Sequence, residues 1–175
     1  MTQRFLIAGL MLAAVGTGVR GDDAPGKAPA QAGLERMKKL AGTWVAADKD
    51  GKPTDQVVSV IKVTAAGSAV QETLFPGQPH EMVSIYHRDG ADLLMTHYCA
   101  LGNQPRMKAD PDSPANQIRW KFVGGTNLDP AKDMHMHEGT LTFIDEGHIE
   151  FSGVAWVGGK PAEGHTCSMK LVRKK

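Results

Sequence analysis

Residues 82–99, MVSIYHRDGADLLMTHYC, place two runs of β-branched, aromatic and other apolar residues on either side of Asp89-Gly90. An Asp-Gly pair in this position is a strong short-range signal for a β-hairpin. Alternate residues of the second run share one strand face, which is mainly apolar: Leu93, Met95, His97 and Cys99. The stretch therefore predicts two antiparallel strands with one buried face.

The same two-residue period continues from Thr43 almost to the C-terminus, interrupted by clusters of Gly, Pro, Asn and Asp. Ten strand-like runs lie between these breaks: 43–48, 55–64, 68–75, 80–88, 91–99, 105–109, 116–123, 134–144, 148–157 and 164–172. No segment between them is long enough for a crossover helix, which excludes a parallel βαβ architecture. We predict an all-β fold, an antiparallel barrel of eight to ten strands. Periodicity alone leaves a β-sandwich open.

The N-terminal segment is typical of an exported protein. Arg4 precedes an apolar run over 5–15 and small residues at 16–18, so we predict a signal peptide over 1–21. The apolar run is shorter than the roughly 20 residues that a membrane span requires, although an uncleaved anchor is an alternative reading. We therefore expect a secreted or periplasmic protein.

Two further segments precede the first strand. Residues 22–33 are rich in Pro, Ala and Gly and predict a flexible linker. The amphipathic spacing of apolar residues over 34–40 predicts a short N-terminal helix. The barrel domain is then expected to cover 34–175.

Charge and motif content narrow the range of functions. The chain has 20 basic and 19 acidic residues and a net charge of +1, so we expect no nucleic-acid partner and no stable membrane insertion after signal cleavage. It lacks the G-x-S-x-G, H-E-x-x-H, P-loop, G-x-G-x-x-G and C-x-x-C motifs. We leave catalysis undecided and favour a binding role.

The segment Leu40-Ala41-Gly42-Thr43-Trp44, a predicted helix end followed by G-x-W at the first strand, resembles the N-terminal signature of lipocalins and related calycin barrels. The resemblance implies structural roles for Gly42 and Trp44, with Trp44 packed across the closed end of the barrel. It also implies a cation–π partner from the last strand, here Arg173. The second lipocalin signature, T-D-Y, is missing, because Thr96-His97-Tyr98 has His for Asp and lies too early. The chain thus resembles a divergent secreted bacterial calycin of unassigned function.

Several histidines and both cysteines are candidates for chemistry. His135 and His137 lie two residues apart, a spacing that suits two ligands of one metal, although outward-facing histidines fit the pattern equally well. His97 shares a strand face with Cys99, as does His165 with Cys167. These pairs suit a mixed metal site, haem binding or a Cys–His nucleophile. A Cys99–Cys167 disulfide, or plain packing of both thiols, are the alternatives.

Two polar features suggest how a ligand is held. Glu72 lies between apolar residues of its own strand face, and we expect it to meet Arg106 as a buried ion pair or to face water. Gln104 and Arg106 are either ligand anchors or part of a polar turn.

From these observations we predict a barrel that binds an apolar or amphipathic small molecule, with no cofactor. The expected ligand-binding residues are Glu72, Met82, Met95, His97, Arg106, Trp120, Phe122, His165 and Met169. A metal or haem barrel using His97, His135, His137 or His165 is the first alternative. An isomerase or hydrolase with His97 as acid/base, supported by Glu72 or Arg106, is the second.

Overall fold

The computed structural model describes residues 30–175. The predicted signal peptide 1–21 and the first part of the predicted linker lie outside the described residues. Helix α1 spans Ala30–Lys39, so it begins four residues before the predicted start, and the linker prediction was wrong for 30–33. The residues around Gly33 include good helix formers. Gly33 itself lies so close to Leu93 that a β-carbon there would be 2.9 Å from Cδ2 of that leucine.

Ten antiparallel strands follow the helix and close into a barrel in which each strand pairs with its sequence neighbours and β10 pairs with β1. They are β1 Gly42–Ala47, β2 Pro53–Thr64, β3 Ala69–Leu74, β4 Met82–Asp89, β5 Asp92–Tyr98, β6 Gln104–Ala109, β7 Gln117–Thr126, β8 His135–Phe143, β9 His148–Val157 and β10 Lys160–Arg173. All ten predicted strands are confirmed, and closure into one barrel excludes the sandwich.

Turn chemistry sets the register of the hairpins. Gly158 and Gly159 form a two-residue turn with φ of +61° and +74°, a backbone that favours glycine. In the hairpin at 82–99, Asp89 stays in the ladder opposite Asp92. The loop there is Gly90-Ala91 rather than the predicted Asp-Gly pair, because Gly90 has the positive φ of +57°.

The helix covers one end of the barrel. Its residues Leu34 and Met37, with the following Leu40, are buried in the core beside the fully buried Trp44. The helix packs against β3, β4 and β5. The inward residues of β5 therefore begin with Leu93 at the covered end, and their row continues to Cys99, just beyond β5, toward the other end. Within residues 30–175, no helix is both long enough and apolar enough to cross a membrane.

Candidate functional site

The interior of the barrel contains a cavity of about 410 Å³. Its walls are mainly aliphatic, aromatic and methionine side chains, with a small number of polar groups. The lining includes Glu72, Met82, Ser84, Tyr86, Met95, His97, Trp120, His135, Phe151, His165, Cys167 and Met169. The cavity is therefore an apolar space with a few fixed polar positions.

Cross-strand register arranges one wall of the cavity in layers. Glu72, Ser84 and His97 are paired across β3, β4 and β5, so their side chains share a face and form a polar layer. Tyr86 and Met95 form the next row toward the helix. Leu74 and Met82 form the row on the other side. The polar layer thus lies between two mainly apolar layers, partway along the barrel.

Glu72 is the acidic member of this layer. Its Oε1 accepts a hydrogen bond from Ser59 Oγ at 2.6 Å, and its Oε2 accepts one from the Tyr86 hydroxyl at 2.5 Å. Burial raises the pKa of Glu72 above its ordinary value, although both hydroxyl donors act in the opposite direction. Burial and the adjacent carboxyl raise the pKa of Tyr86 well above its ordinary value, so the phenol is the hydrogen donor.

His97 is held by Ser84, whose Oγ lies 2.9 Å from Nδ1. Both residues are buried. Burial lowers the pKa of His97 to about 4, so the ring is neutral near neutral pH. A base this weak is a poor match for proton abstraction at neutral pH, and the arrangement favours hydrogen bonding by a neutral imidazole.

Two glycines of the opposite wall make room for larger side chains of the lining. Gly139 and Gly153 pair across β8 and β9, and a β-carbon on either would lie about 3.2 Å from the ring of Phe151. A β-carbon on Gly153 would also lie 3.0 Å from Cys167 Sγ, on the paired residue of β10. Both positions therefore give room to the phenyl ring and the thiol.

The cavity reaches solvent beside β10. β1 pairs with β10 only from Leu171 to Arg173, whereas β10 begins at Lys160. The stretch 163–168 is exposed, yet His165 and Cys167 within it also line the cavity. A ligand entering from this side would pass these two side chains.

Seven of the nine residues predicted to contact a ligand line the cavity: Glu72, Met82, Met95, His97, Trp120, His165 and Met169. Their strand phase followed from the alternation of apolar residues. The other two, Arg106 and Phe122, lie elsewhere.

The predicted Glu72–Arg106 pair is wrong. Arg106 is exposed, because its neighbours Pro105 and Met107 are the buried residues of β6 and Arg106 therefore points outward. Gln104 is part of a polar turn, the second of the two roles that the sequence predicted for it. Its side-chain oxygen accepts hydrogen bonds from Thr126 and Asn127.

Phe122 faces the two histidines of β8 instead of the cavity. Its ring centroid lies 4.6 Å from that of His135 and 4.9 Å from that of His137. A register shift between Met136 and Glu138 leaves His137 outside the cross-strand pairing with β9. Its ring nevertheless stacks on that of Trp156, with the ring centroids 3.8 Å apart.

His135 and His137 contact each other directly. His135 Nδ1 donates to the Asp133 carbonyl at 2.9 Å, and His135 Nε2 lies 2.9 Å from His137 Nδ1. Because the carbonyl oxygen can only accept, His135 Nδ1 carries a hydrogen, and both nitrogens of the buried His135 ring have partners. Within the described part of the chain, no group of three or more His, Cys, Asp or Glu side chains is placed to hold a metal ion.

Cys99 and Cys167 are free thiols in the structure, so the predicted alternative of a Cys99–Cys167 disulfide is wrong. Both line the cavity. Burial raises the pKa of the Cys167 thiol, which disfavours the nucleophilic thiolate.

Sequence reasoning missed Ser59, Ser84 and Tyr86, the hydrogen-bonding partners of Glu72 and His97. For Ser84 and Tyr86 the signal was present, because both alternate with Met82 in the hairpin at 82–99. Ser59 required the pairing of β2 with β3.

Comparison with known proteins returned no matching family model and no curated protein of significant sequence similarity. The function therefore has to be inferred from the cavity and its side chains.

Proposed function

We propose that this protein binds a small apolar or amphipathic molecule inside its barrel. The observation that carries the proposal is the cavity of about 410 Å³ with apolar walls and one polar layer. Small-molecule sites typically measure about 300–1,000 Å³ and combine apolar walls with a few placed polar groups. The space is thus of a suitable size for one such molecule.

Energetic reasoning supports the same proposal. Protein interiors are normally close-packed, and an apolar void forfeits the dispersion contacts that its lining side chains would otherwise make. Gly139 and Gly153 make room for the Phe151 ring and the Cys167 thiol, two groups of the lining that a bound molecule would contact. A bound apolar molecule would restore those contacts and so offset the energetic cost of the void.

We further propose that the barrel is a divergent relative of the lipocalins and calycins and that it acts after export, in the periplasm or outside the cell. The helix before the first strand and the contact between Trp44 and Arg173 support the relationship. The apolar run over 5–15 supports export.

Titration with prodan, a neutral dye whose emission depends on polarity, tests the binding proposal. We expect saturable binding of one dye per chain. Met169→Trp, which places an indole in the cavity, should weaken it by at least about tenfold, equivalent to about 1.4 kcal/mol. Lys170→Trp is the matched control, because Lys170 is the exposed neighbour on β10. Absence of binding, or equal binding by all three proteins, would refute the proposal.

A further inference from the structure

We propose that the bound molecule carries a positively charged amine that pairs with Glu72. This proposal rests on the proposed binding function and names the chemical class of the ligand. The barrel would then select apolar amines over carboxylic acids of the same size.

The first observation is the charge of the cavity walls. Among the described residues, Glu72 is the sole Asp, Glu, Lys or Arg side chain that lines the cavity. None of the ion pairs found within residues 30–175 includes it. A carboxylate that the surrounding protein desolvates and that has no cation beside it is costly, and a ligand that supplies the cation removes part of that cost.

The second observation is how the Glu72 carboxyl is held. Ser59 and Tyr86 each donate a hydroxyl hydrogen bond to a different oxygen, which holds the carboxyl in place and satisfies one acceptor position on each oxygen. An ionised carboxylate has about four lone-pair positions. The remaining positions are free to accept N–H groups from an ammonium in the cavity.

The third observation is the aromatic surroundings. Tyr86, which contacts Glu72, has its ring centroid 5.6 Å from that of Trp120, and both side chains line the cavity. The faces of Tyr and Trp rings attract cations. The cavity thus offers an ammonium group a carboxylate and two neighbouring aromatic rings, with apolar walls for the rest of the molecule.

A carboxylic acid would meet the opposite situation. Its anion would approach Glu72 in a cavity where no described Lys or Arg supplies a positive charge. His97, the nearest basic group in the polar layer, is neutral near neutral pH because burial lowers its pKa to about 4. Repulsion and desolvation both oppose the binding of such an anion.

Displacement of prodan by three ligands that share one alkyl chain tests this inference: decylamine, decanol and decanoate, at neutral pH. We expect decylamine to bind at least about tenfold more tightly than decanol, equivalent to about 1.4 kcal/mol, and decanoate to bind most weakly. Glu72→Gln should remove the preference for decylamine over decanol. Glu163→Gln, which removes an exposed carboxylate of β10, should preserve the preference.

The outcomes separate the two proposals. If prodan and decanol bind but decylamine has no advantage over decanol, or keeps one in Glu72→Gln, the amine inference is wrong and the binding function stands. If none of the three ligands nor prodan binds, both proposals fail.

Discussion

The guanidinium group of Arg173 lies over the indole ring of Trp44, with Cζ 4.4 Å from the ring centroid. The same group donates three hydrogen bonds to main-chain carbonyl oxygens, at 2.8 Å to Lys39 and to Ala41 and at 3.0 Å to Glu146. Lys39 ends α1, and its carbonyl has no partner within the helix. One residue near the C-terminus thus connects the helix end, β1 and the β8–β9 turn, and stabilises the covered end of the barrel.

Arg173→Ala should lower the free energy of unfolding by about 1–3 kcal/mol, because it removes the cation–π contact and the three hydrogen bonds together. Arg173→Lys should recover only a small part of the stability lost in Arg173→Ala, since an ammonium lacks the planar fork of donors. Urea unfolding followed by circular dichroism measures both. Lys174→Ala is the control and should change stability by less than about 0.5 kcal/mol. An Arg173→Ala protein as stable as this control would contradict the assignment.

Glu72 should make stability fall as pH rises. Its pKa is raised above 4.5 by burial, so folding disfavours the ionised carboxylate relative to the unfolded chain. This contribution is complete below the unfolded pKa and is lost as pH rises through the folded pKa. Glu72→Gln, which remains neutral, should therefore be more stable than the natural protein at pH values above the folded pKa, by on the order of 1 kcal/mol. The gain should shrink as pH falls toward 4.5, and a gain independent of pH would count against the buried charge.

His97 should make the stability of the protein fall as pH falls, the opposite of the effect of Glu72. Its pKa falls from 6.5 to about 4 in the folded protein, so the stability it contributes is complete above pH 6.5 and is lost as pH falls toward 4. The full effect is on the order of 3 kcal/mol. In His97→Gln, the decline in unfolding free energy between these pH values should be smaller by about that amount. Parallel pH profiles for the two proteins would show that the ring is not desolvated.

Cys167 should report on occupancy of the cavity. Its thiol lines the cavity on an exposed stretch of strand, and burial raises its pKa. Alkylation by iodoacetamide should be slower than for an unfolded chain and should accelerate as pH rises, because the thiolate is the reactive form. A bound ligand should slow it further, as peptide mass spectrometry would show. Labelling that is unaffected by a saturating ligand would place the ligand elsewhere.

The strands were predictable because their signals are local. Alternation of apolar residues and the turn residues between runs located all ten strands, from Thr43 onward. Closure was not predictable in this way, since a sandwich and a barrel have the same two-residue period. Barrel closure depends on the pairing of β1 with β10, which brings Trp44 opposite Arg173 across the whole length of the domain.

The candidate site was predictable only as far as strand phase allowed. The face that carries Met95 and His97 followed from one strand alone. Opposite charge suggested Arg106 as the partner of Glu72, but Pro105 and Met107 take the inward positions of β6, which no charge argument reveals. Phe122 was misplaced for a related reason, because the irregularity in β8 that brings His137 to it has no clear local signal.

The most direct test of the binding cavity is a titration of protein labelled with ¹³C at the methionine methyl groups, followed by NMR, with decanol as a neutral ligand. Five methionines line the cavity: Met82, Met95, Met134, Met136 and Met169. Met37 and Met107 are buried outside its lining and serve as internal controls. We predict saturable shifts of the cavity methyl signals with little change at the two controls. No shifts, or shifts of equal size at the controls, would contradict the claim that this interior space holds a ligand.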